Sequence, residues 1–210
     1  MKPLLILGAG AFALETLDIA ELTGDFQVEG FVISTRPPAP DARYADLPVF
    51  WIDDLPMRPS ECFLVCGIGS TGRREFIEIM LDRGYRFASV IHPSAVISPR
   101  CTIEDGCLIN AGVVISHSAY VGTHALLNRG CLIGHDTRIG SFSTVGPGAN
   151  IAGGVEVGSG VYIGIGAIIR DHVSVGAGSV IAAGSVVVKP VAPNTMVGGS
   201  PARRVNASST

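Results

Sequence analysis

Hydrophobic positions recur along this chain with two rhythms, and the change falls near residue 90. From Ile91 every sixth residue is Ile, Val or Leu: Ile91, Ile97, Ile103, Ile109, Ile115, Val121, Leu127, Ile133, Ile139, Val145, Ile151, Val157, Ile163, Ile169, Val175, Ile181 and Val187. Two residues before each, from Ala95 on, the side chain is small or no larger than Val or Thr; Ala95, Cys101, Cys107, Val113 and Ala119 begin the series. Side chains alternate along a strand, so residues i−2 and i share a face. This spacing predicts short flats separated by corners, three flats making one triangular coil of about 18 residues. Coils would rise by about 4.8 Å, the spacing of neighbouring strands. The pattern is that of a hexapeptide parallel β-helix. Glycine recurs directly after the aliphatic residue, at 122, 134, 140, 146, 158, 164 and 176, where it is expected to supply the corner's backbone angles.

Before residue 90 the pattern is strand and helix in alternation. Leu4–Leu7 is a short apolar run, and Gly8-Ala9-Gly10 then marks a turn. Phe12–Leu22 carries apolar residues at helical spacing; Val28–Ile33 and Cys62–Cys66 read as strands; Arg73–Leu81 reads as a helix. Proline-rich stretches, Arg36–Pro40 and Pro48–Pro59, are expected to connect them. Strands separated by helices favour a parallel sheet with βαβ crossovers. The expected fold is thus an α/β, truncated Rossmann-like domain over 1–88, then an all-β parallel β-helix over 89–210.

Composition narrows the class. Hydrophobic residues are 47% of the chain and charged residues 16%, which excludes a disordered chain. The net charge of −3 argues against a general nucleic-acid binder. No apolar run is long enough to span a bilayer, and the N-terminal one is too short for a signal peptide, so a cytoplasmic location is expected. The 5 cysteines show no paired metal spacing and read as reduced. Cys101, Cys107 and Cys131 fall on small inward positions of the β-helix.

Two features suggest chemistry. Gly8-Ala9-Gly10-Ala11-Phe12-Ala13 fits G-x-G-x-x-A between a strand and a helix, where backbone amides can meet a phosphate. An NAD site would place an acid at the end of the second strand; Ser34 follows that strand and it contains no acid, which disfavours NAD. Among the histidines, His92 falls at the domain junction, His124 in a corner and His172 in an exposed turn. His117 and His135 are one coil apart and stack at a single corner, in a column with Pro99, Gly153, Asp171 and Lys189. Spacing alone does not choose between them.

The tail from Val188 to Arg203, a proline turn followed by V-x-G-x-P-A-R, resembles the closing segment of the hexapeptide acyltransferases. With the Gly-rich βαβ domain and Ile91-His92-Pro93-Ser94-Ala95 before the β-helix, the whole chain resembles sugar acetyltransferases of the NeuD/PglD type. That resemblance implies a left-handed β-helix, a homotrimer with sites at subunit interfaces, acetyl-CoA as co-substrate and no metal. It implies acetyl transfer to an amino or hydroxyl group of a bacterial sugar, often a 4-amino-4,6-dideoxy sugar linked to UDP or GDP. Gly134-His135-Asp136 matches the family motif whose histidine is the base and whose acid supports it; Asn128 matches an asparagine that positions the acceptor. The family's second histidine is Thr144 here. The CoA arm is implied along Thr144, Gly153, Ile165 and Ala183, with Lys189, Arg203 and Arg204 for its phosphates. The nucleotide sugar is implied at Gly8, Gly10, Phe12, Ser34 and Gly69, the last in a second glycine loop, Gly67-Ile68-Gly69. Phe12 stands where the family often has histidine, and Ile33-Ser34 where it often has acids, so nucleotide and sugar stay open. Three other readings also stay open: sugar O-acetylation, a γ-carbonic-anhydrase-like zinc lyase using His117, His124 and His135, and a non-catalytic nucleotide-sugar binder.

Overall fold

The computed structural model describes residues 1–70 and 72–205. It divides into two units, Met1–Pro93 and Ser94–Thr210. The division falls inside the Ile91-to-Ala95 segment, a few residues later than the boundary expected at 88.

The first unit is a sheet with two helices. Its elements are β1 (Lys2–Leu7), α1 (Ala11–Thr23), β2 (Phe26–Ile33), β3 (Arg43–Tyr44), β4 (Leu47–Trp51), β5 (Phe63–Cys66), α2 (Arg73–Asp82) and β6 (Arg86–Phe87). The sheet order is β3-β4-β2-β1-β5-β6. All neighbours run parallel except the β3–β4 hairpin. Leu4, Leu5, Ile6 and Leu7 are fully buried, as a central parallel strand covered on both faces requires. Helix α1 ends at Gly24, whose left-handed φ of 70° lets its N–H donate to the Glu21 carbonyl. Strands β3 and β4 were not expected, because Pro48 lies inside β4. The ladder tolerates it there: Pro48 sits opposite Arg43 of a two-residue edge strand, and the neighbouring Val49 N–H reaches Ala42 O at 2.9 Å.

The second unit is a parallel β-helix with three faces, and its period is six throughout. Face 1 stacks Leu108–Ile109, Leu126–Leu127, Thr144–Val145, Tyr162–Ile163 and Val180–Ile181. Face 2 stacks Val96–Ile97, Val114–Ile115, Leu132–Ile133, Asn150–Ile151, Ile168–Ile169 and Val186–Val187. Face 3 stacks Thr102–Ile103, Tyr120–Val121, Arg138–Ile139, Glu156–Val157 and Ser174–Val175. From Ile109 on, the second residue of each pair points inward and is buried. Cys107 and Cys131 fill small inward positions completely, while Cys101, in the first coil, is only half-buried.

The corner glycines act differently from the expectation. From Ile103 to Ile181 left-handed backbone falls three residues after each aliphatic, not one, and there even Ser118, His124, Asp136, Phe142 and His172 adopt it. The glycines directly after the aliphatics are needed for closeness instead. At Gly134 an added Cβ would lie 2.5 Å from the Ala152 carbonyl carbon of the next coil. Three inward hydroxyls bind adjacent coils through their backbone. Thr137 Oγ1 donates to Ala152 O at 2.8 Å and accepts from the Val155 N–H at 3.3 Å; Ser143 and Ser179 repeat the arrangement.

Candidate active site

In the first unit the carboxyl ends of β1, β2 and β5 open on a cleft of about 440 Å³. Strand β1 is the switch point, with α1 leaving it on the way to β2 and β5 on its other side, where open parallel sheets place ligands. The cleft gathers Gly8, Gly10, Phe12, Ser34 and Gly69, every residue expected to meet the nucleotide sugar, and adds Thr35, Ile68, Ser70 and Phe76. Gly8 has φ 100°, and an added Cβ would lie 2.7 Å from Ile68 Cγ1, so glycine is required twice over. Gly67 lets α1 close on β5, because a Cβ there would meet Ala13 Cα at 2.8 Å. The ring of Phe12 lies against Gly69. Helix α1 begins at Gly10 with no side-chain cap and no acidic residue in its first turn, which leaves its amide dipoles available to an anion.

In the second unit the edge between faces 2 and 3 carries the histidines. His135 Nδ1 and Asp136 Oδ2 are 2.8 Å apart, both side chains about two-thirds exposed. The left-handed φ of 57° at Asp136 turns its carboxylate back toward the preceding ring. With Nδ1–H donating to the carboxylate, Nε2 carries the lone pair. One coil earlier His117 Nδ1 faces Ser118 Oγ at 2.7 Å, a hydroxyl in place of a carboxylate. One coil later stands Gly153, whose missing side chain makes room for the His135 ring.

The other expected residues divide between places. Lys189 continues the histidine edge and shares a pocket of about 360 Å³ with Arg203 and Arg204 at the closing end of the β-helix. Ile165 and Ala183 are exposed on the edge between faces 1 and 2, and Asn128 opens a corner of that same edge, its Oδ1 accepting the Arg129 N–H at 2.8 Å. Thr144 is buried on face 1. Within one chain, then, His135, Asp136, Gly153 and Lys189 share an edge, whereas Asn128, Ile165 and Ala183 occupy another. His124 lies on the third edge, stacked on Phe142 at 5.0 Å, away from His117 and His135.

Residues 154–189 match the family model described as bacterial transferase hexapeptide (six repeats). Perosamine N-acetyltransferase PerB from Caulobacter crescentus, solved with CoA and GDP-perosamine, is similar over 98% of both chains, with 30% identity and a TM-score of 0.89.

The chain belongs to the hexapeptide-repeat sugar acetyltransferases.

The same complex of PerB has been solved with a histidine replaced by asparagine, and this acetyltransferase matches that structure equally well. The acetyltransferase domain of PglB from Neisseria gonorrhoeae, in complex with acetyl coenzyme A, shares the fold at 24% identity and a TM-score of 0.87, over 97% of this chain and 99% of that one. WeeI from Acinetobacter baumannii shares it at 22% identity and a TM-score of 0.87, over 98% and 100%. No curated protein sequence matches this acetyltransferase. Two features of its sites escaped the sequence reading. Phe76 is one: it lines the cleft beside Ile68 of the Gly67-Ile68-Gly69 loop, whereas its place on the apolar side of α2 fits a core role equally well. The seat under His135 is the other: the motif match assigns Gly153 to the CoA arm, and its place in the histidine column does not by itself show that the ring rests on it.

Proposed function

We propose that this protein transfers acetyl from acetyl-CoA to the amino group of a nucleotide-linked sugar, a 4-amino-4,6-dideoxy sugar carried on UDP or GDP. The observation that carries the reading is the exposed His135–Asp136 pair, in a chain similar over its whole length to a perosamine N-acetyltransferase. The Rossmann-like first unit would hold the nucleotide, its phosphates against the amides of the Gly8–Gly10 turn and the start of α1. The second unit, read as a left-handed β-helix, would carry out the transfer.

The amine attacks the thioester carbonyl carbon with its lone pair. His135 Nε2 takes the proton that the nitrogen sheds, while Asp136 holds Nδ1–H and fixes the tautomer. The carbon–sulfur bond breaks, and the thiolate of CoA leaves and is reprotonated. Transfer is direct. Cys131, the cysteine nearest the motif in sequence, points into the core, and burial pushes its thiol up to about 12.

Lys189, Arg203 and Arg204 would meet the CoA phosphates, and Gly153, Ile165 and Ala183 its pantetheine arm; Thr144, expected beside them, is buried on face 1 and offers the arm no surface in a single chain. Because Gly153 and Lys189 occupy one edge and Ile165 and Ala183 another, a complete site takes one edge from each of two copies, which supports a homotrimer with sites at its interfaces. The exposed apolar residues on face 2, Val96, Leu132 and Ile168, suit such packing. All five cysteines are thiols rather than disulfides, which suits a reducing cytoplasm.

A thiol-release assay with acetyl-CoA across UDP-, GDP- and dTDP-linked amino sugars tests the reading. Turnover on a 4-amino sugar with none on its 4-hydroxy counterpart is expected. Turnover on the hydroxyl sugar alone would replace N- by O-acetylation, and no turnover together with no CoA binding would leave only a nucleotide-sugar binder.

A further inference from the structure

Gly153 occupies the same corner position as His135, one coil further on. The two coils are locked in register there: the Gly154 N–H donates to His135 O at 2.8 Å, as the Asp136 N–H donates to His117 O at 3.0 Å one coil earlier. A Cβ built on Gly153 would lie 2.6 Å from His135 Nε2, 2.7 Å from Cε1 and 3.0 Å from Cδ2. The far side of the imidazole therefore rests directly on the bare Cα of Gly153, while Nδ1 is held by Asp136 at 2.8 Å. The glycine is not there for its backbone. Gly154 has a left-handed φ of 65°, but Gly153 has no positive φ, so any residue could adopt its conformation. What only glycine allows is the space.

We infer that Gly153 is the positioning residue for the general base: with Asp136 it clamps the His135 ring and sets the direction in which Nε2 presents its lone pair. The inference rests on the proposed role of His135, and it shifts the weight of Gly153 from the CoA arm to the base. An alanine would move the ring about 1 Å to restore ordinary contact. The ring is exposed and can swing, so the fold survives, but a displacement of that size at a reacting group costs on the order of 100-fold in rate.

The test is steady-state kinetics of Gly153→Ala, alone and combined with His135→Ala, on the full-length protein. The expected result is a fall in kcat of about 100-fold with the KM for acetyl-CoA and the melting temperature unchanged. In the His135→Ala background the second substitution should have no further effect, since there is no ring left to seat. Gly160→Ala serves as a backbone control: Gly160 has φ 66° with no atom within 4 Å of a Cβ, so that variant should lose stability and keep its kcat. A raised KM for acetyl-CoA with unchanged kcat would overturn the inference in favour of a role in the CoA groove. So would a Gly153→Ala effect that persists without His135. If His135→Ala itself turns over normally, the base assignment fails; if that variant is inactive while Gly153→Ala is normal, only the seat fails.

Discussion

Thr137 is the residue on which the coil beneath the histidine edge depends, and replacing it with valine isolates what its hydroxyl contributes. The side chain is fully buried and the two residues have nearly the same shape, so packing changes little. Two hydrogen bonds disappear together: the one to Ala152 O at 2.8 Å and the one from the Val155 N–H at 3.3 Å. A hydrogen bond is worth about 1 kcal/mol net, but a buried group left without a partner costs about 1–3 kcal/mol. With a carbonyl and an amide both stranded, Thr137→Val should cost about 2–4 kcal/mol. A chain of this size loses about 2–4 °C per kcal/mol, so the melting temperature should fall by about 4–16 °C. Hydrogen exchange at the Val155 amide gives a local reading. It should quicken by about 30-fold or more, the factor that corresponds to 2 kcal/mol. An unchanged melting temperature with undiminished protection at Val155 would refute the claim that inward hydroxyls complete the backbone ladder. Ser143→Ala and Ser179→Ala should show the same loss at the amides of Val161 and Thr195, which those hydroxyls accept.

Three further outcomes are expected. Gly8→Ala forces a side chain into φ 100° and against Ile68, so the KM for the nucleotide sugar should rise at least tenfold while that for acetyl-CoA stays constant; measuring both decides whether the cleft binds the nucleotide. Lys189→Ala with Arg203→Ala should raise the KM for acetyl-CoA and leave that for the nucleotide sugar unchanged, if their shared pocket meets CoA phosphates. Burial raises the thiols of Cys66 and Cys131 to about 11 and about 12, above the ordinary 9.0, so the stability each confers is complete below pH 9 and is lost as pH climbs toward those values. Urea midpoints should decline above pH 9 by the equivalent of about 1.4 kcal/mol per pH unit for each thiol, and Cys131→Ala should make that slope shallower.

The β-helix was legible because its determinants are local and repeated. Each inward aliphatic from Ile97 to Val187 sits where the period of six places it, since one slip would turn every later side chain outward. The role of the glycines was not legible. Gly134 and Gly154 look alike in sequence, yet one is required by a backbone one coil away and the other by its own φ. Only the stacking distinguishes them, and five non-glycine residues at the left-handed corners hide the pattern. In the first unit the Gly8–Gly10 turn was legible from its motif. Strand β4 was not, because a proline inside a strand is tolerated only through a neighbour, here Arg43, that the sequence does not advertise. The histidine edge was half legible. The spacing of 117 and 135 predicted a shared corner, but both histidines carry a partner on Nδ1, and only the chemistry of that partner separates them: Ser118 for one, the Asp136 carboxylate for the other. The place of Asn128, Ile165 and Ala183 on a different edge is carried by the same period, since 165 and 183 are one coil apart and each follows a face 1 aliphatic by two residues, and not by the motif match, which groups them with Gly153.

His135 is expected to accept the proton of an attacking amine. The most direct test is kcat for CoA release from acetyl-CoA, with a nucleotide-linked 4-amino sugar that the native protein acetylates, compared between the native protein and His135→Ala. A loss of at least 100-fold, with both substrates still bound and the assembly intact, is the expected result; turnover within a few-fold of native would contradict it.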